Sequence, residues 1–244
     1  MPILSACGVE TVPLPTMILS THTASGFGDY VMRDMTDEMK AFAAHWKKLD
    51  VKFDGICTGF FASAEQIRFA ESFLRDFGGK DTLIVVDPVL GDNGALYGCF
   101  SEEYVQAMRT LCKAARLITP NHTEAALLAG CSMDTDVNEL LEKLPVEDVI
   151  ITGVRRGEEI GYCARLDGEY TEIFRPCIPQ TLHSTGDVFA SALCGALMNG
   201  KTMPRALEDA AKFCDDCVQK TVKRGEAHWY SLAFEDVLKE ERER

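Results

Sequence analysis

This 244-residue sequence has no block of Lys or Arg and no run in which basic and aromatic residues interleave. That excludes the usual electrostatic footprint of a nucleic-acid-binding surface. Acidic residues outnumber basic ones 38 to 25, a net charge of −13. The field of the whole chain therefore repels an anionic substrate, which must be held by local devices such as helix N-termini or a metal. No apolar run approaches the ~20 residues of a membrane span. Internal repeats and low-complexity tracts are also missing, which excludes stacked-repeat architectures. Cysteine is plentiful but unordered. Ten cysteines are scattered without framework spacing and follow no signal-peptide pattern, so reduced thiols in a cytoplasmic setting are expected. Cys214 and Cys217 form a lone C-D-D-C inside a helical pattern. With no second pair or nearby His to complete the ~four ligands of a zinc site, it reads as structural.

Hydrophobic residues at 46% and charged residues at 26% are ordinary globular values. Apolar β-branched runs alternate with amphipathic stretches. Strands are expected over Glu10–Leu19, Gly55–Phe60, Thr82–Val89, Leu117–Thr119 and Asp148–Val154, and helices over Thr36–Lys48, Ser63–Phe77, Ser101–Ala114 and Thr123–Ala129. Several strand runs are continuously apolar, as for strands covered on both faces, and the alternation predicts an α/β, doubly wound, mostly parallel sheet. Ile160–Leu166 and Tyr170–Phe174 flank D-G-E, a hairpin signal that adds an antiparallel edge. Two helices follow, Gly186–Asn199 and Met203–Lys220. No linker-like stretch divides the chain, so one domain over residues 1–244 is expected. The opening M-P-I-L-S-A-C-G-V-E-T-V reads as the last turns of a helix, a Gly stop and a strand. Such a domain normally opens on a central strand, so further N-terminal sequence is expected.

In open α/β sheets ligands bind at the carboxyl ends of the strands. Three polar segments fall there. In D-P-V-L-G-D-N-G-A-L-Y, Asp87 and Asp92 could hold a hydrated Mg²⁺, or form an Asx-type turn with Gly94. In T-P-N-H-T-E-A, Asn121 and Glu124 have capping-box spacing, and both also suit a metal–phosphate network. Thr152 and Gly153 are delivered to the same rim. In T-L-H-S-T-G-D-V-F-A-S-A-L, Thr185 and Gly186 open a helix whose unpaired N–H groups favour an anion, and Asp187 in its first turn could take a proton from an alcohol.

These three motifs, in this order, resemble the pyridoxal/pyridoxamine kinases of the ribokinase superfamily, and the similarity runs across essentially the whole chain. The resemblance implies ATP-dependent phosphorylation of the 5′-hydroxymethyl group of a B6 vitamer on a Rossmann-like, ribokinase-like fold, usually as a homodimer. It also implies Mg²⁺ and leaves room for K⁺. By motif, Asp187 matches the base, and Ser184, Thr185 and Gly186 the anion hole. Asp87, Asp92, Asn121 and Glu124 match the Mg–ATP network, and Tyr97 and Thr152 positions near the phosphates. Thr21, His22 and Thr23 match the segment covering the pyridoxal ring. Three departures stand out: the family begins with a strand upstream of this start; Ser184 replaces the first Gly of G-T-G-D; and Phe60, in T-G-F-F-A-S, lacks the hydroxyl of the family's tyrosine. Two other readings fit these residues. One is a hydroxymethylpyrimidine kinase with the same fold and base; the other is a relative that binds ligand without turnover.

Overall fold

The computed structural model describes residues 1–22, 27–180, 182–228 and 230–242. Its centre is a six-stranded sheet built from β3 (Gly55–Thr58), β4 (Leu83–Val86), β7 (Leu117–Ile118), β8 (Asp148–Arg156), β9 (Glu159–Leu166) and β10 (Glu169–Pro176). The strand order is β10-β9-β8-β7-β4-β3. The first four in chain order pair in parallel, and β9 and β10 add an antiparallel edge. The β9–β10 turn is tight because Asp167 and Gly168 both take positive φ, 51° and 83°, as a two-residue type I′ turn requires.

Successive strand residues point to opposite faces, and each face has its own core. Val86, Ile118, Val149 and Ile151 pack with α3 (Ala64–Phe77), α4 (Glu102–Cys112), α5 (His122–Ala129) and α6 (Val137–Lys143). Val85, Leu117 and Ile150 pack with α7 (Thr185–Met198), α8 (Met203–Arg224) and α9 (Phe234–Arg242). All seven strand residues are at most 1% exposed, which is why their runs carry no polar alternation. Cys214 and Cys217 face the second core and pack against α7 as small hydrophobes.

The expected strand over Glu10–Leu19 does not form. Only β1 (Met17–Leu19) is extended, and it pairs with β2 (Met32–Asp34) in a separate ribbon. Pro13 and Pro15 lack the N–H groups that a ladder needs, so the segment before them cannot join a sheet as a regular strand. The helix turn at the start is present as α1 (Pro2–Ala6), followed by Gly8 at φ 80°. It lies on α7 where Gly195 leaves room: a Cβ there would meet Cys7 Sγ at 2.6 Å. The β1–β2 ribbon is tied down by the buried Gln66. Its Nε2 donates to Thr16 O and to Thr36 Oγ1 at the start of α2 (Thr36–Lys48), and its Oε1 accepts from Ala62 N.

Candidate active site

The candidate site lies along the carboxyl ends of β4, β7 and β8 and the N-terminus of α7. Four of the other helices carry a side-chain cap, from Ser63, Ser101, Asn121 and Asp136. α7, like α1, α2 and α8, has no side-chain cap bond among the described residues, and its N-cap residue is Ser184. Ser184 is in the left-handed region, φ 67° and ψ 17°. That bend leads the chain into the helix, whose first N–H groups have no intrahelical partner. Gly186 has open space where a Cβ would stand, so a ligand could approach the backbone closely. Asp187 is exposed in this first turn, and its negative charge reaches both Asp87 and His22.

Asp87 stands just past the end of β4. Burial pushes its carboxyl up to about 7, with the Asp187 charge adding to the rise and the Thr119 hydroxyl opposing it. Glu124 is 5% exposed on α5. It completes the capping box expected from the spacing: Asn121 Oδ1 accepts from Glu124 N at 2.9 Å, and Glu124 Oε2 accepts from Asn121 N at 2.8 Å. Its other oxygen accepts from Leu90 N at 3.1 Å. Burial, then the Asp87 charge, pushes the Glu124 carboxyl up to about 8 despite those donors. Capping and an acidic site thus coexist in one residue.

Asp92 lies in the small hairpin of β5 (Gly91–Asp92) and β6 (Ala95–Leu96). Its carboxylate accepts from Asn93 N at 2.8 Å and Asn93 Nδ2 at 3.1 Å, and the turn runs through Asn93 and Gly94 at φ 52° and 80°. Gly94 thus takes the positive φ of the turn reading, but Asp92 does not bond Gly94 N as an Asx turn would, because that N–H donates to Thr123 Oγ1. Asn121 Nδ2 donates to Gly91 O, and Thr123 Oγ1 accepts from Gly94 N, so α5 buttresses the hairpin. Tyr97 follows it, 42% exposed, its phenol pushed up to about 12 by burial and then by Asp92, Glu124 and Asp87. Thr152 pairs with Asn121 across a parallel bridge, and Gly153 sits at φ 68° in a β8 irregularity.

The ring-covering segment is only partly in view. Thr23 lies outside the described residues. Thr21 is exposed, its hydroxyl donating to His22 O at 3.4 Å. His22 packs in a ring cluster with Phe27 and His183. Burial, then the neighbouring His183, lowers the His22 pKa, while Asp187 raises it. Phe60 instead packs on Phe100, which stacks on Tyr104 and meets Tyr97. His183, Phe27, Thr119 and Thr123 are contributors that sequence reasoning missed. His183 had a visible signal, since it adjoins S-T-G-D. The others acquire meaning only from their neighbours in space.

The residues present suit a hard cation with phosphate oxygens. Asp187 raises Asp87 and Asp87 raises Glu124, so the acids repel in a chain, and a positive charge among them would relieve that repulsion. Among the described residues no group of three or more His, Cys, Asp and Glu is arranged to hold a metal by itself. Mg²⁺ typically takes only one or two carboxylates and completes its shell with water and phosphate, so the set fits.

The sequence profile of the phosphomethylpyrimidine kinase family matches residues 16–231. The structure is similar to that of pyridoxal kinase from Lactobacillus plantarum: 32% identity, TM-score 0.90, covering 98% of this chain and 88% of that one. It is also similar to a Bacteroides thetaiotaomicron protein, provisionally assigned as a phosphomethylpyrimidine kinase and crystallised with pyridoxal. There the identity is 38% and the TM-score 0.90, covering 98% of this chain and 87% of that one. A hydroxymethylpyrimidine/phosphomethylpyrimidine kinase of Bacillus subtilis is 28% identical over 187 residues, covering 73% of this chain and 68% of the relative.

Proposed function

This chain belongs to the phosphomethylpyrimidine kinase family, and we propose that it transfers the terminal phosphoryl group of ATP to the 5′-hydroxymethyl group of a vitamin B6 vitamer. Phosphoryl transfer to an alcohol comes with the family; the B6 acceptor is the finer reading. The observation that carries it is the start of α7, which has no side-chain cap among the described residues and where an open glycine and an exposed Asp187 share one helical turn. Two similar structures, the Lactobacillus pyridoxal kinase and the pyridoxal-bound Bacteroides protein, support a B6 acceptor.

Phosphoryl transfer needs little covalent work from the protein, so position and electrostatics carry most of the rate. Asp187 accepts the proton of the acceptor hydroxyl as that oxygen attacks phosphorus. The N–H groups of Thr185, Gly186 and Asp187, strengthened by the helix dipole, stabilise the charge on the transferred group's oxygens. Asp87, Asp92 and Glu124 would hold Mg²⁺, directly or through its waters, with Asn121, Thr152, Gly153 and Tyr97 lining the phosphate path. The metal would neutralise phosphate charge and order the nucleotide. K⁺ is a further cation to test in the assay. Cytoplasmic work suits a chain whose ten cysteines are scattered without framework spacing, and a homodimer is the assembly to check by light scattering.

Hydroxymethylpyrimidine phosphorylation is the second reading, favoured by the family profile and the Bacillus relative. Steady-state assays with Mg–ATP and each of pyridoxal, pyridoxine, pyridoxamine and hydroxymethylpyrimidine separate the two. The proposal expects the highest kcat/KM on a B6 vitamer. A higher value on the pyrimidine reverses the assignment, and binding of both substrates without turnover makes the protein a non-catalytic relative.

A further inference from the structure

Two cysteines from distant parts of the chain meet where α7 lies on β3, the edge strand of the main sheet. Cys57 is exposed and Cys194 buried, and the Cys194 S–H donates to Cys57 Sγ at 3.4 Å. The contact belongs to a register. Gly55 and Cys57, two residues apart on β3, share one face of the strand, while Cys194 and Met198, four apart, share one face of α7. A Cβ at Gly55 would meet Met198 Sδ at 2.6 Å, so the glycine lets α7 settle close to β3, one helical turn from the place where the two sulfurs touch. Both cysteines are tied to the candidate site. Cys194 is about two turns along α7 from Asp187, and Cys57 precedes Thr58, whose carbonyl accepts from Asp87 N at 3.1 Å.

We propose that Cys57 and Cys194 are a peroxide-oxidisable dithiol, whose disulfide clamps α7 to β3 and slows turnover; the slowing rests on the phosphoryl transfer proposed above. An accessible thiol with a second thiol poised to resolve it is the common arrangement of a redox-sensing pair. The hydrogen bond to Cys57, then burial, pushes the Cys194 thiol up, so the exposed Cys57 is the sulfur that meets the oxidant first. The Cys57 thiolate attacks one oxygen of hydrogen peroxide, the O–O bond breaks, and the departing hydroxide leaves as water with the proton that Cys57 released. The Cys194 sulfur then attacks the sulfur of the resulting sulfenic acid. The S–O bond breaks, and the leaving hydroxide takes the Cys194 proton as a second water. Two thiols are oxidised and one peroxide is reduced. An S–S bond is about 2.05 Å long, so the sulfurs must close by roughly 1.3 Å from their 3.4 Å separation. That shift acts on the helix carrying Asp187 and on the strand end that holds Asp87 N, and a displacement of about 1 Å at reacting groups can cost on the order of 10²-fold in rate.

The experiment treats the full chain with hydrogen peroxide, traps the remaining thiols with iodoacetamide and maps disulfide-linked peptides by mass spectrometry, beside Cys57→Ser and Cys194→Ala. The expected product before trapping is about 2 Da lighter and yields a linked peptide pair containing Cys57 and Cys194. Its Tm should rise by at least about 4 °C, because the bond closes a long loop. Turnover of Mg–ATP with the better acceptor should fall about tenfold or more and return with dithiothreitol. Both variants should lose no more than about twofold under the same treatment, which separates the pair from oxidation of the remaining cysteines. The proposal is overturned if mapping finds Cys57 and Cys194 unlinked, if the linked enzyme turns over as fast as the reduced one, or if Cys57→Ser is inactivated as strongly as wild type. A reduced chain that turns over no acceptor overturns the B6 reading and, with it, the slowing; the linked peptide pair still decides the disulfide.

Discussion

Ser184→Gly is the substitution whose outcome the backbone specifies most directly. Ser184 holds φ 67°, and its side chain caps nothing on α7 among the described residues. An L-residue in this region is disfavoured by roughly 1–2 kcal/mol. Glycine removes that strain but loses roughly 0.5–1 kcal/mol more chain entropy on folding. The net expectation is a stabilisation of about 0.5–1 kcal/mol. For a chain of this size 1 kcal/mol moves Tm by roughly 2–4 °C, so Ser184→Gly should raise it by about 1–4 °C. Ser184→Val, β-branched in the same conformation, should lower Tm by at least about 2 °C and cut kcat, since the N–H groups of Thr185 and Gly186 are aimed by this bend. Differential scanning fluorimetry of both variants, with a coupled ADP-release assay, tests the pair. If glycine leaves Tm unchanged or lowers it while valine is tolerated, the left-handed bend is not what orients the start of α7.

Asp187→Asn should lower kcat by roughly 10²–10⁴ with ATP affinity within a few-fold, the usual cost of losing a general base; near-normal turnover would remove Asp187 from that role. Glu124→Gln turns an amide NH₂ toward one of the two backbone donors that the carboxylate accepts from, Asn121 N or Leu90 N. It should therefore lower stability by about 1–3 kcal/mol and raise the Mg²⁺ concentration for half-maximal rate more than the acceptor KM. A change in acceptor KM alone would contradict that placement. Asp87 and Glu124 carry raised pKa values, about 7 and about 8, so each favours the folded state most below its unfolded pKa. That contribution is lost as pH rises through the folded values. Without Mg²⁺, Tm should fall more steeply between pH 5 and pH 8 (the span of roughly those pKa values) in wild type than in Asp87→Asn. Equal slopes would show that the Asp87 carboxyl is not raised in the folded protein.

Local rules were enough to read the sheet and most of the rim from sequence. Continuous apolar runs marked strands covered on both faces, Asp167–Gly168 marked the hairpin, and Asn121 with Glu124 marked a capping box, because strand burial, positive φ and helix capping each act within a few residues. The same locality placed Ser184, Thr185, Gly186 and Asp187 at a helix start. Other features needed the tertiary structure. Pro13 and Pro15 kept the first extended run out of the main sheet, and its end was captured by residues 32–34 instead. Gln66 looks like an ordinary helix residue until Thr16, Thr36 and Ala62 surround it. The raised carboxyls of Asp87 and Glu124 arise from burial and from acids distant in sequence, Asp187 acting on Asp87 and Asp87 on Glu124. His183 meets His22 and Phe27, more than 150 residues earlier in the chain, only in the folded protein. Propensity and capping act through neighbours in sequence. Desolvation, charge repulsion and ring contact act through neighbours in space, which only the folded chain supplies.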